Sequence, residues 1–273
     1  MVDHKMKLSC SNLMVPGHSL TEKATLLKSW GYSGMAIFID HHDWSDVRCE
    51  EIMDLERKTG VIPCEFVLVG QLYGRLMDED PDLRARSKAI YLQAGSVCAS
   101  IGANTSVEFE YKSQDPMPLF DPHQKLSPEK SAEFIEIYRE ILTTVQETQG
   151  SILIEPLNRY ESAALNTVAE CSELLRGMNA ANAGLLFDFF HCSIEEKSLI
   201  DSIHLAGELI RHVHLGDNNR LLPGRGNIEW KRCFGALAEI GYSGFINLEC
   251  STSGDAHQTL PEVAEYIRGA IGV

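Results

Sequence analysis

The sequence predicts a closed (β/α)8 barrel, in which eight parallel strands form a cylinder surrounded by helices. Two observations lead to this prediction: a length of 273 residues, and short apolar runs that alternate with amphipathic stretches along the whole chain. An open doubly wound sheet is the main alternative. Its nucleotide-binding forms lose support because neither G-x-G-x-x-G after the first strand nor G-x-x-x-x-G-K-[ST] occurs. We therefore expect one domain, residues 1–273.

Eight short apolar runs have the length and composition of buried strands. These are residues 7–10, 35–39, 61–68, 96–101, 151–154, 183–187, 211–215 and 245–248. Residues 110–127 form the longest irregular segment and are rich in Pro and Asp. We expect this segment to be a long loop beside the functional site.

Helix signals fill the intervals between these strands, with capping residues, terminal glycines and apolar residues three to four apart. Helices are predicted at residues 21–30, 45–59, 81–94, 128–148, 167–178, 195–208, 230–240 and 257–269. We expect Thr21 to cap the first helix, Ser127 to cap the fourth, and Gly95 to follow the end of the third.

Composition narrows the functional class. A net charge of −15 opposes non-specific binding to nucleic-acid phosphates. The eight cysteines are scattered without a C-x-x-C pair, which is typical of reduced core thiols rather than of disulfides or a zinc site. The chain does not start with a basic segment followed by an apolar one, and its apolar runs are too short to span a bilayer. We expect a cytoplasmic protein that binds neither nucleic acid nor membrane.

Four predicted strands in the second half end at a potential metal ligand. Glu155 follows SILI, Asp188 follows AGLLF, His214 follows RHV and Glu249 follows FINL. Any one of them could be an ordinary solvated residue, but in a barrel all carboxyl ends lie on one face. Four such groups would resist desolvation unless a positive charge lay between them. We expect a divalent cation, with Mn²⁺ first and Mg²⁺, Co²⁺ or Zn²⁺ as alternatives.

Four linked motifs lie within residues 151–249: E-P-L-N-R-Y-E, D-x-x-H-x-x-x-E-E, H-x-H-x-x-D-x-x-R-x-x-P-G-x-G and G-Y-x-G-x-x-x-L-E. Together they resemble the sugar isomerase/epimerase superfamily of metal-dependent TIM barrels, which includes xylose isomerase and the type IV abasic-site endonucleases. Within it they are most similar to ketose 3-epimerases and bacterial keto-sugar epimerases. The N-terminal half resembles this superfamily only in its alternation of strands and helices.

The resemblance implies a metal-dependent epimerase or isomerase of an unphosphorylated ketose or keto-glycoside. A cation would polarise the carbonyl and stabilise an enediolate, while one glutamate removes a proton and the other returns one to the opposite face. Family dimers and tetramers also suggest a homodimer or homotetramer. The implied metal ligands are Glu155, Asp188, His214 and Glu249, the acid/base pair is Glu155 and Glu249, and the substrate contacts are Glu161, His191 and Arg220.

Three other functions remain open. A lyase or dehydratase acting on a keto-sugar or keto-inositol would use the same metal and base. An abasic-site endonuclease is less consistent with the sequence, because it needs three zinc ions and a D-x-H motif that the segment GDNNRLLPGRGNIEW lacks. A non-catalytic sugar-binding barrel is also less consistent, because Glu155 and Glu249 are both present.

Several polar residues near the motifs have two interpretations. His191 contacts either the substrate or a neighbouring loop, and His212 is expected to be a buried polar brace rather than a ligand. Glu195 and Glu196 are expected in the first turn of a helix, where acids are favourable, or as a support for a nearby loop. The HHD loop at residues 41–43 lines the cleft, binds substrate or holds a second metal.

Overall fold

The computed structural model describes residues 6–120 and 125–272. Eight strands form a closed barrel whose strand order follows the chain, and neighbouring strands are parallel all the way round. The predicted fold class is therefore confirmed. Part of the loop expected at residues 110–127 lies outside the described residues.

The strands and helices alternate around the barrel. The strands are β1 Lys7–Ser11, β2 Gly34–Asp40, β3 Ile62–Val69, β4 Asn104–Val107, β5 Ser151–Ile154, β6 Ala183–Asp188, β7 Ile210–Leu215 and β8 Phe245–Leu248. The helices are α1 Leu20–Ser29, α2 Asp46–Thr59, α3 Pro81–Ile101, α4 Pro128–Leu142, α5 Val168–Met178, α6 Phe189–Glu195, α7 Leu199–Ala206, α8 Trp230–Glu239 and α9 Ala256–Ile271. Short 3-10 turns lie at Asn12–Met14, Thr143–Val145 and Gly207–Leu209.

Side-chain caps account for most helix starts. Ser127 caps α4 as expected, because its hydroxyl accepts a hydrogen bond from the main-chain N–H of Lys130. The cap expected at Thr21 is wrong. Ser19 caps α1 instead, in a reciprocal capping box with Glu22.

The strand predicted at residues 96–101 is wrong, because these residues form the last turns of α3. Gly95 does not end that helix. A Cβ atom at this position would overlap Thr144 Oγ1, so glycine lets the helix pack closely against the 3-10 turn. The fourth strand comes later, at Asn104–Val107, and its sequence NTSV has little apolar character. The polar side chain of Thr105 is nevertheless fully buried.

The helix predicted at residues 195–208 is also wrong in its bounds. Asp188 caps α6 directly after β6; Glu196 is extended, and Ser198 then caps the separate helix α7. The helix predicted at 128–148 ends at Leu142 and continues as the 3-10 turn Thr143–Val145.

Most of the apolar core lies in the layer between the strands and the helices, whereas buried polar side chains such as Glu65 and His212 lie inside the barrel. Every residue of β2 except Asp40 is buried, and the helices present faces such as Phe134, Tyr138 and Ile141 of α4. All eight cysteines are free thiols. Within the described ranges, no helix is both long enough and apolar enough to cross a membrane.

Candidate metal centre and active site

Four side chains converge at the carboxyl-terminal rim of β5 to β8. Asp188 and His214 are partners across the β6–β7 ladder, and Glu155 and Glu249 directly follow β5 and β8. Ligand atoms of the four residues all lie within 4.8 Å of one another. The structure therefore brings together the four side chains that we expected to converge, because each was placed at the end of a strand.

The two carboxylate oxygens of Asp188 have different surroundings. Oδ1 accepts main-chain N–H groups of Phe190 at 2.6 Å and His191 at 3.2 Å, which caps α6. Oδ2 is buried and has no hydrogen-bond partner. It lies 3.9 Å from Nδ1 of His214, which itself lies 2.7 Å from Oε2 of Glu249 and 3.8 Å from Oε1 of Glu155. Three carboxylates thus surround one imidazole nitrogen, and a cation between them would neutralise their charges.

Electrostatics at this rim favour a bound positive charge. Burial raises the pKa of Glu155 well above its usual value, and the neighbouring Asp188 and Glu249 raise it further, although His214 opposes this. Burial likewise raises the pKa of Asp188 to about 6. Burial works to lower the pKa of His214, but the negative charges of Glu65 and Glu249 outweigh it, so the pKa is raised. Protons held by this cluster are those that a divalent cation would replace.

Glu65 is a residue of this centre that the sequence analysis missed. It is fully buried in β3, and its Oε2 lies 2.8 Å from Nε2 of His214 and 3.5 Å from Nε2 of His212. A carboxylate on the far nitrogen of a ligand histidine fixes the ring and its tautomer. Burial works to raise the pKa of Glu65, but His214 and His212 lower it. The available signal was a single acid inside the apolar run VIPCEFVLV.

His212 is fully buried two residues before His214, as the sequence predicted. Its Nδ1 lies 3.4 Å from Nδ2 of Asn104, and its Nε2 faces Glu65. The Glu65, His212 and His214 side chains thus form a polar layer beneath the rim. This layer supports the ring of His214 from the inside of the barrel.

Arg220 and His191 lie beside the four-residue cluster. Nη1 of Arg220 is 3.4 Å from Nε2 of His191, and Nη2 is 3.9 Å from Oε1 of Glu249. The backbone of Arg220 has a φ of 58°, which non-glycine residues rarely adopt. Its guanidinium also lies over the Phe190 ring, 4.5 Å from the centroid. These contacts hold the arginine head against the rim despite a strained backbone.

Asp217 organises the loop that carries Arg220. Its carboxylate is fully buried and accepts hydrogen bonds from Gly224 N at 3.0 Å, Ile228 N at 3.1 Å and Trp230 Nε1 at 2.9 Å. Arg225 in the same loop faces solvent. Asp217 is the aspartate of the H-x-H-x-x-D-x-x-R motif, but the sequence did not predict that it would hold this loop.

Glu161 joins the site through Asn158. Nδ2 of Asn158 donates to Oε1 of Glu161 at 3.2 Å and contacts Nδ1 of His191 at 2.8 Å. The loop after β5 therefore connects two of the three residues expected to touch substrate. Asn158 itself is buried and was not assigned a task from the sequence.

Glu195 and Glu196 do not lie in the first turn of a helix, so that expectation is wrong. Glu195 ends α6, and its carboxylate makes a two-point ion pair with Arg159, in which Nη2 to Oε2 is 2.7 Å. Oε1 of Glu196 accepts the N–H of Val168 at 2.7 Å. Glu195 therefore holds the loop after β5, which was the alternative interpretation, whereas Glu196 contacts the start of α5.

The HHD loop lies at the same rim, after β2. Ligand atoms of Asp40, His41 and His42 lie within 4.8 Å of one another, but Nδ1 of His41 is only 3.0 Å from the carbonyl oxygen of Val69. A further acid, Glu108, is buried after β4 and accepts hydrogen bonds from Tyr73 and Tyr91. These polar groups lie at the ends of β2 and β4, at the same rim as the four-residue cluster.

The chain is similar in sequence to a family of TIM barrels and to several named sugar epimerases. Residues 24–270 match the profile of a family described as a xylose isomerase-like TIM barrel. A D-psicose 3-epimerase from Agrobacterium fabrum is 30% identical over 211 residues, which cover 77% of this chain and 72% of that protein.

Two other relatives match over a smaller region. A D-psicose 3-epimerase from Enterocloster bolteae is 37% identical over 111 residues, which is 41% of this chain and 37% of that protein. A 3-dehydro-D-guloside 4-epimerase from Escherichia coli is 32% identical over 110 residues, which is 40% of this chain and 42% of that protein. The match therefore spans less than half the length of these two relatives.

Among solved structures, the barrel is similar to a 3-keto-D-glucoside 4-epimerase from E. coli. The TM-score is 0.83 at 22% identity, over 97% of this chain and 100% of the other. At this identity the similarity concerns the fold.

Proposed function

The chain belongs to the xylose isomerase-like TIM barrel family, and on that premise we propose that it is a metal-dependent epimerase of a ketose or keto-glycoside. The observation that carries this proposal is the rim cluster of Glu155, Asp188, His214 and Glu249, whose ligand atoms lie within 4.8 Å of one another. The relatives that are D-psicose 3-epimerases and a 3-dehydro-D-guloside 4-epimerase support both substrate classes.

The four side chains fit a divalent cation. Three carboxylates and one imidazole favour Mn²⁺, with Mg²⁺, Co²⁺ and Zn²⁺ as alternatives. Oδ2 of Asp188 has no hydrogen-bond partner, and Nδ1 of His214 lies among the carboxylates of Glu155, Asp188 and Glu249, which supports this assignment. When bound, the cation supplies positive charge that makes a C–H bond beside the substrate carbonyl more acidic.

Glu155 and Glu249 are proposed as the acid/base pair. One carboxylate removes the proton from carbon, and the C–H electrons move toward the carbonyl oxygen to give an enediolate. The other glutamate returns a proton to the opposite face, which inverts the carbon.

His191, Arg220 and Glu161 are proposed to hold the substrate oxygens. Arg220 keeps its positive charge: burial works to lower its pKa, but Asp188 and Glu249 outweigh burial and raise it. A permanent cation beside a developing oxyanion stabilises it more strongly than it stabilises the neutral carbonyl. This difference lowers the barrier to proton removal.

Deuterium exchange tests the proposal. The Mn²⁺-loaded protein is incubated in D₂O with a panel of ketoses and 3-keto-glycosides, and the products are identified by NMR. We expect deuterium at a carbon beside the carbonyl and an epimerised product. A product that has lost water or another leaving group would identify a lyase instead, whereas absence of exchange on every sugar would contradict enolisation.

The variants Glu155→Gln and Glu249→Gln complete this experiment at saturating Mn²⁺. Each should slow epimerisation by about 10²–10⁴-fold, because a positioned acid or base contributes that much, while the remaining glutamate can still exchange the proton on its own face. Glu239→Gln is the control, since Glu239 lies on α8 with its side chain 70% exposed. Epimerisation at the wild-type rate in Glu249→Gln would contradict the two-base scheme.

We also propose a cytoplasmic, single-domain protein of residues 1–273 that works as a homodimer or homotetramer on a sugar, without nucleic-acid or membrane partners. The eight free thiols support a reducing compartment. The net charge of −15 supports the exclusion of nucleic acid.

A further inference from the structure

His191 faces hydrogen-bond donors on one ring edge and the rim on the other. The main-chain N–H of Asn158 donates to Nδ1 at 3.2 Å, and Nδ2 of the same residue lies 2.8 Å from Nδ1. The ring is 2% exposed, so water does not replace these partners. One residue therefore contacts Nδ1 through both its backbone and its side chain.

The orientation of the Asn158 amide is determined by its other neighbours. Its Oδ1 accepts the main-chain N–H of Tyr160 at 3.0 Å, and its Nδ2 donates to the carboxylate of Glu161 at 3.2 Å. A main-chain N–H can only donate and an ionised carboxylate can only accept, so a flipped amide would lose both hydrogen bonds. The group facing Nδ1 is thus the NH₂.

Two N–H donors directed at Nδ1 require that this nitrogen carry a lone pair and no proton. The single ring hydrogen must then be on Nε2. Nη1 of Arg220 lies 3.4 Å from Nε2, but because both nitrogens then carry hydrogens, they do not bond to each other. Two neighbouring donors of this kind can share one acceptor oxygen.

We propose that Asn158 is a positioning residue that fixes His191 as the neutral tautomer with hydrogen on Nε2, so that His191 and Arg220 form a pair of donors for one substrate oxygen. The tautomer of His191 is inferred only from contacts within the protein. The inference that His191 and Arg220 donate to one oxygen rests on the proposed function, because that oxygen belongs to a sugar bound at the rim. Asn158 would act through His191 and not by touching substrate.

Nitrogen NMR tests the tautomer of His191 directly. The protein carries isotope-labelled nitrogen in its histidine rings and is loaded with diamagnetic Mg²⁺. His191→Gln identifies the two resonances of His191, and the half-exposed His204 is an internal reference. We expect a pyridine-like Nδ1 and a pyrrole-like Nε2 in the wild-type protein. A protonated Nδ1 in the wild-type protein would overturn the proposal.

Two variants at position 158 separate positioning from simple packing. Asn158→Asp places an acceptor at Nδ1, so the Nδ1 resonance should move to the pyrrole-like range. Asn158→Ala removes the side chain but keeps the main-chain N–H, so Nδ1 should stay pyridine-like. An unchanged Nδ1 shift in Asn158→Asp would overturn the assigned task of the side chain.

Deuterium exchange on sugars distinguishes this inference from the proposed function. The expected tautomer without exchange on any sugar would support the fixed ring and contradict the epimerase. Exchange with a protonated Nδ1 would support the epimerase and overturn the tautomer.

Discussion

At the scale of single residues, Glu65 shows how a buried acid can act on a site without reaching its rim. It lies inside β3 and contacts His214 on the ring nitrogen opposite the cluster. Its negative charge would make His214 a better ligand for the proposed cation and would keep Nδ1 directed at the other three side chains. The site is therefore at least two layers deep.

Glu65→Gln tests this layer. The amide retains the shape of the side chain but removes the charge, so Mn²⁺ affinity should fall by about 10- to 100-fold. Isothermal titration with Mn²⁺ measures the change, and Glu239→Gln on the outer face of α8 controls for the loss of one acid. Equal affinities in wild type and Glu65→Gln would show that the carboxylate does not influence the centre.

The site residues that could be predicted differ from those that were missed in their position relative to the apolar runs of the sequence. Glu155, Asp188, His214 and Glu249 each stand at the end of a predicted strand, so their convergence follows from the barrel alone. Glu65 sits within an apolar run and shows no such boundary. The task of Asn158 depends on a ring 33 positions away along the chain, which no local pattern contains.

At the scale of secondary-structure elements, α3 shows how packing overrides a local signal. Gly95 resembles a helix terminus, yet α3 continues to Ile101 before Gly102 ends it in the left-handed conformation. The true strand β4 was overlooked because Asn104, Thr105 and Ser106 lack apolar side chains. A strand with polar side chains in the barrel interior has no alternation of apolar and polar residues for the sequence to reveal.

The glycine at position 95 gives an element-scale prediction. Gly95→Ala should lower the free energy of unfolding by about 1–3 kcal/mol, because the new methyl group would overlap Thr144 and force the helix outward. Urea denaturation measures this. Gly235→Ala is the matched control, since Gly235 is an exposed position inside α8 with no atom within 4 Å of an added Cβ.

That control should behave in the opposite way. Gly235→Ala should raise the free energy of unfolding by about 0.4–1 kcal/mol, because alanine reduces the freedom of the unfolded chain. If Gly95→Ala were equally stabilising, close packing of α3 against the turn Thr143–Val145 would not explain the glycine.

At the scale of the whole molecule, the closed barrel brings together side chains that are distant in the sequence. Glu155 and Glu249 lie 94 positions apart along the chain. They meet because the carboxyl ends of all strands lie at one rim. The alternation of strands and helices was sufficient to predict this closure. The bounds of α3, β4, α6 and α7 were not predictable, because they depend on contacts between elements.

The most direct test of the account is the number of Mn²⁺ ions that each chain binds, measured by titration of wild type and Asp188→Asn. Asparagine retains the capping oxygen at the start of α6 but removes one of the negative charges of the centre. We expect one tightly bound ion per chain at this rim in wild type and a large loss of affinity in Asp188→Asn. Binding of no ion by the wild type, or equal affinity in both proteins, would contradict it.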